Sequence, residues 1–239
     1  MKDQLGLFLS IYFSDIESIK KLLNSKEDLL FTVNVPEGYF AWQSGEFRIS
    51  AVEIILMTLD CWDDLKKASK LEGDLRIKPE KIYLSTLQSL QFVTQKFPEL
   101  KTKTIAYENY IGLSYALLPD EEYFTENEFE EYLLEGYKRV DLELINAGAR
   151  KNIKKVRHLM ELGANPMIDP DDKTDDSLIL TILSDAEAFN LITYLEYYQQ
   201  FIESGKKSFK GEDIYPMISH LYTAASSSKL YKLISSFTR

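Results

Sequence analysis

Two histidines, one cysteine and a crowd of aspartates are the residues of this chain best suited to proton transfer, nucleophilic attack or metal binding. His158 and His220 could move protons near neutral pH, and Cys61 could act as a thiolate. A Ser-His or Cys-His hydrolase needs a nucleophile, a base and an orienting group brought together, and no Gly-x-Ser-x-Gly supports one. His158, between Arg157 and Leu159, reads as a surface or interhelix hydrogen-bonding residue, and His220 reads the same way. Cys61 beside Trp62 near a helix end is most simply a small buried apolar residue. Asp169, Asp171, Asp172, Asp175 and Asp176 crowd one loop, and such oxygen-rich loops attract calcium. A calcium loop of the helix-loop-helix kind starting at Asp169 would need Gly and Glu where the chain has Thr174 and Leu180. No metal is therefore expected, and the absence of phosphate-cradling glycine patterns removes the usual grounds for a nucleotide cofactor. The expectation is a protein that is not an enzyme and has no cofactor.

Charge narrows the partners. A net charge of -10 and a pI near 4.9 argue against nucleic acid, which needs a cationic face. Residues 120–135, DEEYFTENEFEEYLLE, hold eight acidic residues and no Lys or Arg. Like charges this dense repel unless they are solvated or matched by cations. Two readings follow: a solvated helix face, or contact with a basic protein.

The elements that must carry these residues are mostly helical. With 45% hydrophobic residues the chain can fill a continuous core, and only 7 Pro and 10 Gly interrupt it. No run of about 18 apolar residues suggests a bilayer span. The first residues lack the features of a signal peptide, and the single cysteine agrees with a reducing compartment, so the cytoplasm is expected.

Along the chain, Leu7, Phe8, Ile11 and Tyr12, then Ile16, Ile19, Leu22 and Leu23, predict two short helices, with Ser14 and Asp15 offering cap oxygens. From Leu29 to Ile49, β-branched and aromatic residues gather around Pro36-Glu37-Gly38 and predict a β-hairpin, placed near residues 30–45. Val52, Ile55, Leu56 and Leu59 start another helix, followed by one through Leu71. Residues 79–97 predict a largely buried helix, residues 105–118 another, and Thr125 with Glu128 caps an acidic helix at 126–137.

The segment 144–166, LINAGARKNIKKVRHLMELGANP, places Leu144, Ala147 and Gly148 on a short inner helix and Ile153, Val156, Leu159 and Met160 on a second. Gly163-Ala164-Asn165-Pro166 then ends that helix. This pattern resembles an ankyrin repeat, clearest at 141–168. Asp176-Ser177-Leu178-Ile179, with a following helix at Leu191, Ile192, Leu195 and Tyr198, resembles a second copy over 176–204. Tyr215-Pro216-Met217-Ile218, with a helix Leu230 to Phe237, resembles a third over 214–237, and residues 5–71 do so loosely. Positions 144, 178 and 217 lie 34 and 39 residues apart, near the ankyrin period of roughly 33 once an insertion at Ser204 to Gly211 is allowed.

A single repeat cannot bury its apolar face alone, so the resemblance implies stacked neighbours. The fold class expected is all-α: a helical-repeat solenoid of divergent ankyrin-like helix pairs with one β-hairpin. It forms one elongated domain over 1–239, divisible into 1–73, a non-consensus segment 74–138, and 139–239. In ankyrin proteins, finger tips and inner helices line a groove that contacts partners. The expected function is protein binding, in its sharper form an acidic inhibitor or immunity-type protein acting on a basic partner. Tyr39, Phe40 and Trp42 on the hairpin and Asp169, Asp171, Asp172 and Asp175 on the acidic loop are the candidate contacts. The competing class is an enzyme or small-ligand protein with a pocket in the middle segment, where Tyr83, Tyr107, Tyr110 and Tyr115 offer hydroxyls.

Overall fold

The computed structural model describes residues 4–35, 45–61, 78–101, 123–171 and 177–238. Among these it is mostly helical, with one antiparallel two-stranded sheet, as the all-α expectation with a hairpin requires. The elements run α1 (Gln4–Tyr12), α2 (Ile16–Leu22), β1 (Leu30–Val35), β2 (Gly45–Ser50), α3 (Ala51–Asp60) and α4 (Pro79–Lys96). They continue as α5 (Glu126–Leu134), α6 (Arg139–Ala149), α7 (Ile153–Glu161), α8 (Leu178–Ser204) and α9 (Ile214–Phe237).

Local chemistry sets many of these boundaries. Asp15 caps α2 by accepting from the Ser18 amide at 3.3 Å. Ser50 and Glu53 form a reciprocal capping box at the start of α3, and Thr125 and Glu128 do the same for α5. The hairpin pairs Leu30 with Ser50 and Val35 with Gly45, a register centred on position 40 rather than on the Pro36-Glu37-Gly38 signal. Phe31, Val33 and Ile49 are buried while Thr32 and Arg48 face water, the alternation of a sheet with one covered face. The connecting residues 36–44 lie outside those described, as do the helices expected through Leu71 and at 105–118.

Two apolar clusters form the interior. The first joins α1, α2, the hairpin, α3 and α4 to the later half of α8 and the earlier half of α9. Its centre is aromatic: Phe13 stacks on Phe201 at 4.4 Å, and Tyr12 meets Phe8, Phe13 and Tyr194. The second cluster joins α5, α6 and α7 to Leu178, Ile179 and Leu183 of α8 and Leu230 and Ile234 of α9. Between them Asn190 and Ser226, Ser227 and Ser228 are buried polar residues. The paired helices α8 and α9 therefore serve both clusters and hold the two ends of the molecule together.

Three expectations need correction here. The copies expected at 176–204 and 214–237 are not helix pairs: each is one uninterrupted helix, of 27 and 24 residues. Helix α4 is not largely buried, since only Pro79, Ile82, Thr86, Ser89 and Val93 are covered and Leu84 is 58% exposed. It packs by one face on α2 and α3. Finally, a stretch within Leu178–Ser208 reaches a mean hydropathy of 1.4, so this helix passes the length and composition test for a membrane span. Its apolar side chains are divided between the two clusters, as those of a shared core helix must be.

Candidate binding surface

Helices α5, α6 and α7 enclose an open groove of about 410 Å³. Glu126 and Glu130 stand one turn apart on α5, with Phe129 beside them. Arg139, Glu143, Asn146 and Arg150 recur on α6 at spacings of four, three and four, which puts them on one helical face. Asn152 and Lys155, at the start of α7, complete the lining with Ala147.

Hydrogen bonds from backbone amides to side-chain oxygens fix these walls. Asn146 Oδ1 accepts from the Phe124 amide at 3.0 Å, tying the entry of α5 to α6. Asn152 caps α7 by accepting from the Lys155 amide at 2.9 Å. Asp141, buried on α6, accepts from the Asn165 amide at 2.7 Å and holds the chain leaving α7. Gly148 lies so close to α8 that a Cβ there would sit 2.5 Å from Ile179 Cδ1.

The ionic contacts across the groove are looser. Arg139 reaches Glu130 at 3.5 Å while its guanidinium carbon lies 5.2 Å from the centre of the Phe129 ring. Lys155 reaches Glu143 at 3.3 Å. These side chains are largely in water, so each pair stabilises the fold by about 1 kcal/mol or less. Part of the acidic run is thus matched by the protein's own cations, and the rest of α5 is a solvated face with no fully buried residue.

At the turn between α6 and α7, Lys151 is 5% exposed, has a left-handed backbone (φ 55°) and has no carboxylate partner among the described residues. Burial alone lowers its ammonium to about 8. It flanks two of the groove residues, Arg150 and Asn152.

Of the aspartates expected to reach a partner, Asp169 and Asp171 are described, and both make hydrogen bonds within the protein. Asp171 accepts hydrogen bonds from the hydroxyls of Tyr132 and Tyr123, the latter at 3.4 Å. The Asp171 hydrogen bond, ahead of burial, raises the Tyr132 phenol well above its ordinary value. Asp169 Oδ1 accepts from the Asp171 amide at 3.0 Å and shapes the loop. Asp172, Asp175, Tyr39, Phe40 and Trp42 lie outside the described residues, as do Tyr107, Tyr110 and Tyr115. Tyr83 is half-buried on α4.

His158 is exposed. Asn190 Nδ2 donates to the Ala186 carbonyl at 2.6 Å, which leaves its Oδ1 to accept from His220 Nδ1 at 2.6 Å. That bond assigns the proton of neutral His220 to Nδ1. Burial lowers the His220 pKa below its usual value. Cys61 is fully buried, as its composition and neighbours predict.

The groove residues escaped the sequence reading because their meeting depends on the tight turn at Gly136, whose φ is 102°. The available signal was the charge spacing itself: Glu126 and Glu130, then Arg139 and Glu143, each one turn apart. No protein-family model matches the chain, and no curated protein and no solved structure matches it either.

Proposed function

We propose that this chain is a noncatalytic protein-binding module that docks a basic partner on the face built by α5, α6 and α7. The observation that carries this reading is the groove: open, walled by three helices, and bridged by ion pairs that are long and exposed. Enzyme sites concentrate convergent polar groups in a shielded pocket, whereas partner surfaces are broad and open. The acidic face of α5 and the net charge of -10 favour a cationic partner through long-range attraction.

We read the helix pair α6 and α7 alone as one divergent ankyrin-like repeat. The same reading makes the protein a cytoplasmic inhibitor or immunity-type protein that covers a basic surface.

The test is size-exclusion chromatography and calorimetry of the purified protein with positively charged proteins encoded beside it, at low and moderate salt. A stoichiometric complex that weakens as salt rises supports the proposal. Absence of any complex at low salt sinks it.

A further inference from the structure

Arg139 is placed as an internal occupant of a site for a cation. Its guanidinium lies over the Phe129 face and next to the Glu130 carboxylate, two groups that recognise a planar cation in complementary ways. Glu126, one turn before Glu130 on α5, lines the same groove and makes no ion pair among the described residues. Glu143 approaches from α6, held by Lys155 at 3.3 Å. The cradle therefore has more acceptor capacity than Arg139 uses. Three cations line the groove, Arg139, Arg150 and Lys155; of these Arg139 lies over the Phe129 ring, is 58% exposed and is held to Glu130 at 3.5 Å, a weak hold that an incoming group can replace. The volume of about 410 Å³ leaves room for a second long side chain beside Arg139.

We propose that the groove receives an arginine side chain of a basic protein partner, which takes the place over Phe129 that Arg139 fills in the free protein. This rests on the protein-binding reading above and names the chemistry at its centre. Displaced Arg139 turns to solvent, and the incoming guanidinium gains the ring face, Glu130 and the unused Glu126. Arginine suits this site better than lysine because its flat, weakly hydrated cation can stack on the ring while forking to a carboxylate. Docking thus exchanges an internal cation for an external one, and removal of Arg139 should strengthen binding.

The experiment uses the full chain and a nine-residue arginine peptide, with affinity read by calorimetry at fixed moderate salt. Five proteins are compared: wild type, Arg139→Ala, Lys207→Ala, Glu126→Gln/Glu130→Gln and Glu196→Gln/Glu203→Gln. Lys207 is exposed on the turn between α8 and α9, so its loss changes net charge equally but away from the groove. Arg139→Ala should tighten binding by about fivefold or more, the scale of one exposed ring-cation contact plus one exposed ion pair, while Lys207→Ala changes it by less than about twofold. The double glutamine variant should weaken binding by about tenfold, against a smaller loss for Glu196→Gln/Glu203→Gln on the later half of α8. A nine-residue lysine peptide should respond to Arg139→Ala less than the arginine peptide does.

If Arg139→Ala and Lys207→Ala behave alike, or the two glutamine pairs weaken binding equally, the groove assignment is overturned while general attraction to basic partners stands. If wild type and Arg139→Ala bind neither peptide, and no basic protein either, the protein-binding reading itself falls.

Discussion

The hydroxyl of Tyr12 donates to the backbone carbonyl of Met217 at 3.0 Å, joining α1 to α9 across 205 residues of chain. Both residues are fully buried, and the carbonyl of Tyr12 in turn accepts from the Tyr194 hydroxyl at 3.3 Å. Burial comes first among the causes that raise the Tyr12 phenol well above its usual value. Tyr12→Phe keeps the ring packing and deletes one buried hydrogen bond. It should lower unfolding free energy by about 1 kcal/mol, whereas Tyr12→Ala should cost about 4 kcal/mol. Urea denaturation of the two variants checks the order, and equal losses would show that the hydroxyl, not the ring, dominates.

Gly148 meets Ile179 with no room for a methyl group, since an added Cβ would lie 2.5 Å from Cδ1 and 2.7 Å from Cγ1. Ile179 is fully buried and cannot simply swing into solvent. Gly148→Ala should therefore destabilise by about 1–3 kcal/mol despite alanine's better helix propensity. Ile179→Val removes Cδ1, so the double variant should be more stable than the sum of the two single losses. Strict additivity in denaturation would contradict the close contact.

Lys151 gives a pH dependence whose sign is fixed. Its ammonium is lowered from 10.5 to about 8 by burial, so between those values the unfolded chain holds a proton that the folded protein has released. Stability then rises with pH through that window, by about 1 kcal/mol from pH 7 to pH 9. Below the window both states are charged and the cost of burying the cation is constant. Lys151→Met should flatten this rise and raise stability at neutral pH. An equal rise in the variant would assign it to another group.

The Tyr132 phenol depends on Asp171. The hydrogen bond to Asp171 is the largest cause of its raised pKa, followed by burial and the Asp171 charge. Asp171→Asn should bring the Tyr132 titration back toward the ordinary value while leaving Tyr12, in the other cluster, unmoved. Carbon-13 shifts of labelled tyrosine rings read the two separately. A Tyr132 titration untouched by the substitution would detach the loop from α5.

Legibility of the fold followed the range of the interactions. Thr125 and Glu128 are three residues apart, so that helix start is read from the chain, and the structure adds the same box at Ser50 and Glu53. The burial pattern of Phe31, Val33 and Ile49 was equally local. By contrast, breaks within 178–204 and 214–237 were expected from a repeat pattern, although the run from Leu183 to Leu191 contains no Gly or Pro to stop a helix. Propensity prevailed there, and a continuous helix results. Asp171 looked like a free surface charge because its tyrosine partners lie 39 and 48 residues away. The groove was hidden for the same reason: Arg139 and Phe129 meet only once the turn at Gly136 has formed.

Helices α8 and α9 have a consequence for synthesis. The aromatic centre contributed by α1 and the hairpin is closed by Tyr194, Phe201, Tyr215 and Met217, which are made much later. During that interval Phe8, Tyr12, Phe13 and Phe31 lack the partners that cover them. A nascent chain stalled before α8 should therefore bind holding chaperones through this exposed aromatic surface, and release from them should coincide with the emergence of α9.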